Sequence, residues 1–114
     1  MATTDCTDSE YQKVVLFRFP KVLSREEELE FDERLRLFVP EIPGIKELSI
    51  GRDISGRANG YTHGLLIRFG TKQAYEQYHP HPTHQAFAAF VYQRNCEILS
   101  FNFPLVERYE GGQH

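Results

Sequence analysis

The sequence predicts an α+β domain in which four strands form one sheet and two helical segments cover one of its faces. Three observations carry this prediction. Runs of β-branched, aromatic and aliphatic residues occur at 13–19 and 61–69, an amphipathic helical pattern opens at Ser24, and Pro80 and Pro82 break the second helical segment in two. With 114 residues, one hydrophobic core and one domain is the expected organisation. The boundaries drawn are a flexible N-terminal tail over 1–10, a folded domain over 11–107 and a flexible C-terminal tail over 108–114.

Residues 1–10 are small and polar (MATTDCTDSE), with too little apolar surface to order themselves. KVVLFRF at 13–19 is a well-buried first strand, ended by Pro20. Ser24 with Glu27 makes a capping box. Phe31, Leu35 and Phe38 follow at helical spacing, and Pro40 and Pro43 close the helix. Residues 45–51 form a short strand with Leu48 and Ile50 on one face, and the Gly- and Asp-containing stretch from Arg52 to Gly60 is a long hairpin connection. In the strand 61–69, Tyr61, His63, Leu65, Ile67 and Phe69 share one face and Thr62, Gly64, Leu66 and Arg68 the other. Arg68 is expected to meet a helix carboxylate or solvent.

Thr71 is placed as the cap of a short helix ending near Tyr78, and Thr83 as the cap of a second running to about Asn95, with Phe87, Phe90 and Val91 at helical spacing. EILSFNF at 97–103 is the last strand, with Leu99, Phe101 and Phe103 on one face. The order β-α-β-β-α-β is the ferredoxin-like plan. Helices cover one sheet face only, yet the strand 61–69 is apolar on both. A homodimer, two sheets facing each other in a dimeric α+β barrel, is the simplest way to cover the second face.

Composition excludes several functions. Net charge is −3 and no basic stripe occurs; the densest charge run, Arg25 to Glu30, is mainly acidic and reads as a solvated helix face, so nucleic acid is not an expected partner. No apolar run approaches the roughly 20 residues of a membrane span, and no membrane partner is expected. Cys6 and Cys96 are isolated, which fits neither a disulfide framework nor a structural zinc site. A reducing, cytoplasmic location is expected.

Between nearly 13 and 103 the chain resembles the stress-responsive dimeric α/β-barrel (Dabb) family. The residues that carry the resemblance are VVLFRF at 14–19, the stretch Leu48-Ser49-Ile50-Gly51-Arg52-Asp53, and Gly60-Tyr61-Thr62-His63 leading into a strand. Tyr78-His79-Pro80-His81-Pro82-Thr83-His84, with Phe87 three residues on, completes the set. The resemblance implies the fold derived above. It is strongest to members that close a linear polyketide without a cofactor, using a histidine base and a neighbouring tyrosine in an apolar cavity. On that resemblance His84 matches the catalytic histidine, Tyr78 its tyrosine partner and His63 a pocket histidine. Where such members carry a first-strand histidine, this chain has Lys13. Other members carry the same His-Pro-x-His segment with no established reaction, so the resemblance does not by itself imply catalysis.

The residues themselves leave two roles open for several of these positions. At the start of a helix, His84 is held neutral by the dipole and is suited to act as a general base, with Tyr78 donating to a developing enolate oxygen; equally, its ring can fasten the interhelical loop through a backbone carbonyl. His63 is either a satisfied core histidine or, with Leu65, Phe69 and Phe87, part of a cavity wall. Lys13 either holds an anionic group at the cavity mouth or is solvated at a strand end. A metal is a weaker alternative: His81 and His84 can converge, but Pro80 and Pro82 turn His79 and His81 apart and no carboxylate or cysteine completes the set. No cofactor or metal is expected. Three functions follow: a cofactor-independent lyase- or cyclase-type enzyme on a small polyketide-like or phenolic substrate, a non-catalytic stress protein with a packed interior, and a cofactor-free monooxygenase of the same fold. A small hydrophobic or aromatic ligand is the expected partner of the first.

Overall fold

A computed structural model describes residues 9–112 of the chain, so Cys6 lies outside the described residues. The elements run β1 (Tyr11–Arg18), α1 (Arg25–Arg36), α2 (Phe38–Glu41), β2 (Ile45–Arg52), β3 (His63–Phe69), α3 (Lys72–Tyr78), α4 (Pro82–Tyr92) and β4 (Glu97–Pro104). The four strands form a single antiparallel sheet in the order β2-β3-β1-β4. This is the ferredoxin-like arrangement expected from the element order. Among the described residues, no helix is long and apolar enough to cross a membrane.

Ser24 opens α1 as its spacing predicts: its Oγ accepts the Glu27 N–H at 3.1 Å, and the Glu27 carboxylate accepts the Ser24 N–H at 2.8 Å. The helix expected to reach Pro40 instead stops at Arg36 and resumes as the short α2, because Pro40 has no N–H to return to the Arg36 carbonyl. Gly44 then turns the chain at φ +88°, where a Cβ would stand 2.3 Å from the Ala74 Cβ, so only glycine fits.

The connection after β2 is longer than the sequence suggests. Tyr61 and Thr62 belong to it and not to β3, since the Asp53 N–H bonds to the Thr62 carbonyl and the Tyr61 N–H to Ala58. Tyr61 leaves the core and lies under the Arg18 guanidinium, 4.7 Å from its ring centroid. Arg68 meets Glu10 and Glu47 on the sheet side, not a helix carboxylate. Glu10, assigned to the tail in the sequence, is fixed by Arg68 above all, then by Gln12 and Arg108, and these bonds hold its carboxyl down at a pKa of about 2 against the opposing effect of burial.

Val15 and Phe17 of β1 and Leu65, Ile67 and Phe69 of β3 face the helices and form one core with Phe31, Leu35, Phe38, Phe87, Phe90 and Val91. At its centre Phe17, Phe31 and Phe87 meet edge to face, with centroids 5.2–5.6 Å apart. Among the described residues, no helix lies on the opposite sheet face. Val14, Leu16 and Leu66 lie there, alongside Leu99 and Phe101 of β4, which are 52% and 66% exposed.

Candidate functional site

The junction of α3 and α4 builds the site. Thr71 caps α3 through the Ala74 N–H, as expected. The cap of α4 is His81 and not Thr83: Pro82 occupies the first helical position, where its missing N–H costs nothing, so the capping role falls to the residue before it. His81 Nδ1 accepts the Thr83 N–H at 3.1 Å, and the Thr83 hydroxyl donates to Glu41 on α2.

His84 stands in the first turn of α4. Its Nδ1 lies 2.8 Å from the His79 carbonyl oxygen, which can only accept, so Nδ1 carries the proton and Nε2 is left as the acceptor of the neutral ring. Gln85 donates to the same carbonyl at 2.7 Å. Burial drives the His84 pKa down to about 4; the bond to His79 opposes this and the Lys13 charge adds to it. The ring is therefore neutral at ordinary pH. The loop-fastening and base roles weighed above are compatible, since they use different nitrogens.

Tyr78 packs against His84 with ring centroids 4.5 Å apart and is braced from behind by Phe69 at 5.1 Å and Phe38 at 5.8 Å. Burial pushes its phenol pKa up, so the hydroxyl stays a proton donor. It has no hydrogen-bond partner among the described residues. Between these side chains and the sheet lies a cavity of about 170 Å³ whose walls include Lys13, Leu65, Tyr78, His84, Phe87 and Ser100. A dry cavity of ~150 Å³ holds one benzene, so this space suits a single ring or a short chain.

Five of the seven predicted site residues converge here: His84, Tyr78, Lys13, Leu65 and Phe87. Phe69 does not reach the cavity and acts as the brace behind Tyr78. His63 is also absent from its walls. Phe31 occupies the space beside His63, with centroids 4.8 Å apart, and itself meets Phe87. His63 Nε2–H donates to Glu28 at 2.8 Å, and its Nδ1 accepts the Thr62 hydroxyl at 2.7 Å. Burial lowers the His63 pKa, against the pull of Glu28. Both ring nitrogens thus have partners within the fold, and His63 is among the residues lining a separate hollow described below. Ser100, conversely, went unnoticed in the sequence. The available signal was β4 alternation: the residues between Leu99, Phe101 and Phe103 face the helix side, opposite Val15 and Lys13.

The weaker alternative was metal ligation by His81 and His84. His81 Nδ1 accepts the Thr83 N–H, which leaves the proton of the neutral ring on Nε2, while His84 keeps Nε2 free. Among the described residues, no group of three His, Cys, Asp or Glu side chains is placed to hold a metal ion. A second hollow, of about 440 Å³, lies on the uncovered sheet face and is lined by Val14, Leu16, Gly51, Tyr61, Gly64 and Leu66 among others.

Fold and site together define a ferredoxin-like α+β half-barrel with a small His–Tyr cavity under its helices. The chain belongs to the stress-responsive A/B barrel domain (Dabb) family, whose model matches residues 12–105. No functionally curated protein matches it by sequence. Among solved structures it is similar to a hydroxynitrile lyase from Passiflora edulis, with TM-score 0.77 and 20% identity over 90% of this chain and 99% of that one. It is also similar to a dimeric ferredoxin-like protein of unknown function from Thermobifida fusca (TM-score 0.74, 20% identity, 85% and 92% covered). A third is SnoaB, a cofactor-independent oxygenase from Streptomyces nogalater (TM-score 0.68, 14% identity, 88% and 96% covered).

Proposed function

We propose that the protein is a cofactor-independent lyase- or cyclase-type enzyme acting on a small polyketide-like or phenolic substrate, and that it works as a homodimer closed through the uncovered sheet face. The observation that carries the catalytic reading is the division of labour on His84. Its Nδ1–H is committed to the His79 carbonyl, so the neutral ring offers only Nε2, beside a tyrosine whose hydroxyl has no partner among the described residues. In this reading Nε2 removes a proton α to a substrate carbonyl, and the Tyr78 O–H donates to the enolate oxygen that develops. The enolate carbon then attacks a second carbonyl of the same chain, and the imidazolium returns its proton to the new alkoxide. Run in reverse, the same pair supports carbon–carbon cleavage: Nε2 takes the carbinol proton and the released carbanion is reprotonated. The one-ring volume of the cavity favours short substrates over long polyketides. The dimer rests on the exposed Leu99 and Phe101 and on the dimeric state named for the Thermobifida fusca relative.

The test is α-proton exchange, which needs no knowledge of the final product. In D₂O, small enolisable aryl ketones followed by proton NMR should take up deuterium faster with protein than in buffer. Tyr78→Phe should slow the catalysed rate by roughly 10²-fold, the usual loss for one oxyanion donor, without changing the melting temperature much. Exchange at the buffer rate throughout the ketone series would count against the proposal.

A further inference from the structure

We propose that the cavity selects an anionic ligand, a ring-bearing or keto carboxylate whose carboxylate is held by Lys13 with Ser100 and Asn102. This rests on the reading of the cavity as a ligand site, but not on catalysis by His84.

Lys13 projects from β1 on the same side as Val15, into the mouth of the cavity. Its Nζ donates to Ser100 Oγ and to Asn102 Oδ1, each at 3.0 Å. Both acceptors are neutral, and an ammonium has a third N–H to give. Among the described residues, no carboxylate lies within ion-pair distance of Lys13. The half-buried arginines differ in this respect: Arg18 pairs with Glu97, Arg52 with Glu28 and Asp32, Arg68 with Glu10 and Glu47, and Arg94 with Glu27. Among the described residues, no carboxylate lines the cavity either.

A partly desolvated cation flanked only by neutral dipoles attracts an anion more strongly than a solvated one does. The Tyr78 ring, 5.8 Å from Nζ, gives it weak partial compensation. A carboxylate at Nζ would also meet the Ser100 hydroxyl and the second N–H of the Asn102 amide, whose first N–H donates to Ser100 Oγ at 3.2 Å. The rest of such a ligand would then lie over Leu65 and Phe87, toward Tyr78 and His84. The site thus divides into a charged mouth and an apolar floor, which is the pattern of an amphiphilic carboxylate.

Benzoate and its neutral isostere benzamide are the probes, titrated into the full chain by calorimetry or by amide chemical shifts. Wild type should bind benzoate at least about tenfold more tightly than benzamide, and added salt should weaken benzoate alone. Lys13→Met should bring benzoate down to the benzamide level and leave benzamide unchanged, while Lys13→Arg should retain the preference. The salt dependence in wild type supplies the answer should Lys13→Met fold poorly. Equal binding of the two probes, no benzoate binding at tens of millimolar, or full benzoate affinity in Lys13→Met would each overturn the inference. His84→Ala should still bind benzoate. If that variant keeps both binding and proton exchange, the catalytic proposal fails and the carboxylate site stands.

Discussion

His84→Ala should lower kcat/KM by roughly 10²–10⁴-fold, the range that a positioned general base supplies, while leaving the protein folded. The ring is half-buried at the cavity wall and its removal leaves most of the core contacts in place. What it removes is Nε2, the acceptor that faces substrate in the proposed mechanism. The pH profile gives an independent signature. A folded-state pKa of about 4 means that the base loses its proton as pH rises through that value. Wild-type kcat/KM should therefore climb near pH 4 and lie flat from about pH 5 to neutrality, and the limb should vanish in the variant. His84→Asn separates the two roles of the ring. The amide nitrogen can replace Nδ1–H on the His79 carbonyl, so the loop is kept, but no base remains. An active Asn variant would make His84 a fastener of the loop and nothing more.

Phe31→Ala should destabilise the protein by about 3–5 kcal/mol, the range for emptying a fully buried phenylalanine site. Phe31 has no exposed surface and meets Phe17, Phe19, Phe87 and His63, with the Arg52 guanidinium 5.3 Å from its ring. It joins α1 to the sheet and to α4 together, so no single neighbour can move in to fill the space. The urea midpoint should fall with little change in slope, since the surface exposed on unfolding is nearly the same. Phe31→Leu, which keeps most of the volume, should cost far less. A small loss for Phe31→Ala would mean that the Phe17–Phe31–Phe87 cluster relaxes, and that the wall between His63 and the cavity is softer than its packing suggests.

How much of this was legible in the sequence depended on the range of the interactions. The Ser24–Glu27 box and the Thr71 cap are contacts between residues three apart, and the alternation of β3 is a local pattern, so all were readable. Convergence of Tyr78 with His84 also followed from a short segment. The split of α1 from α2 at Leu37 was within reach, since Pro40 and the carbonyl it cannot serve are four residues apart. The place of His63 was not readable, because only the arrival of Phe31 and Glu28 from α1 removes it from the cavity. Ser100 and Asn102 are 87 and 89 residues from Lys13; their part at the cavity mouth exists only through the β1–β4 register. The move of the α4 cap from Thr83 to His81 was a choice between neighbours that Pro82 decides.

Strand β4 carries two messages on alternate residues. Leu99 and Phe101 face the uncovered side of the sheet, and Ser100 and Asn102 face Lys13. Point substitutions can edit one set without touching the other, so on the proposed readings assembly and ligand preference are free to diverge separately during evolution. An insertion or deletion of one codon cannot do this. It would exchange the two sets at once, turning hydroxyl and amide toward the apolar face and leucine and phenylalanine toward the lysine. Changes of length should therefore be tolerated in the connection between β2 and β3 and purged from β4. Homologous sequences aligned on this strand should vary in letters but not in spacing.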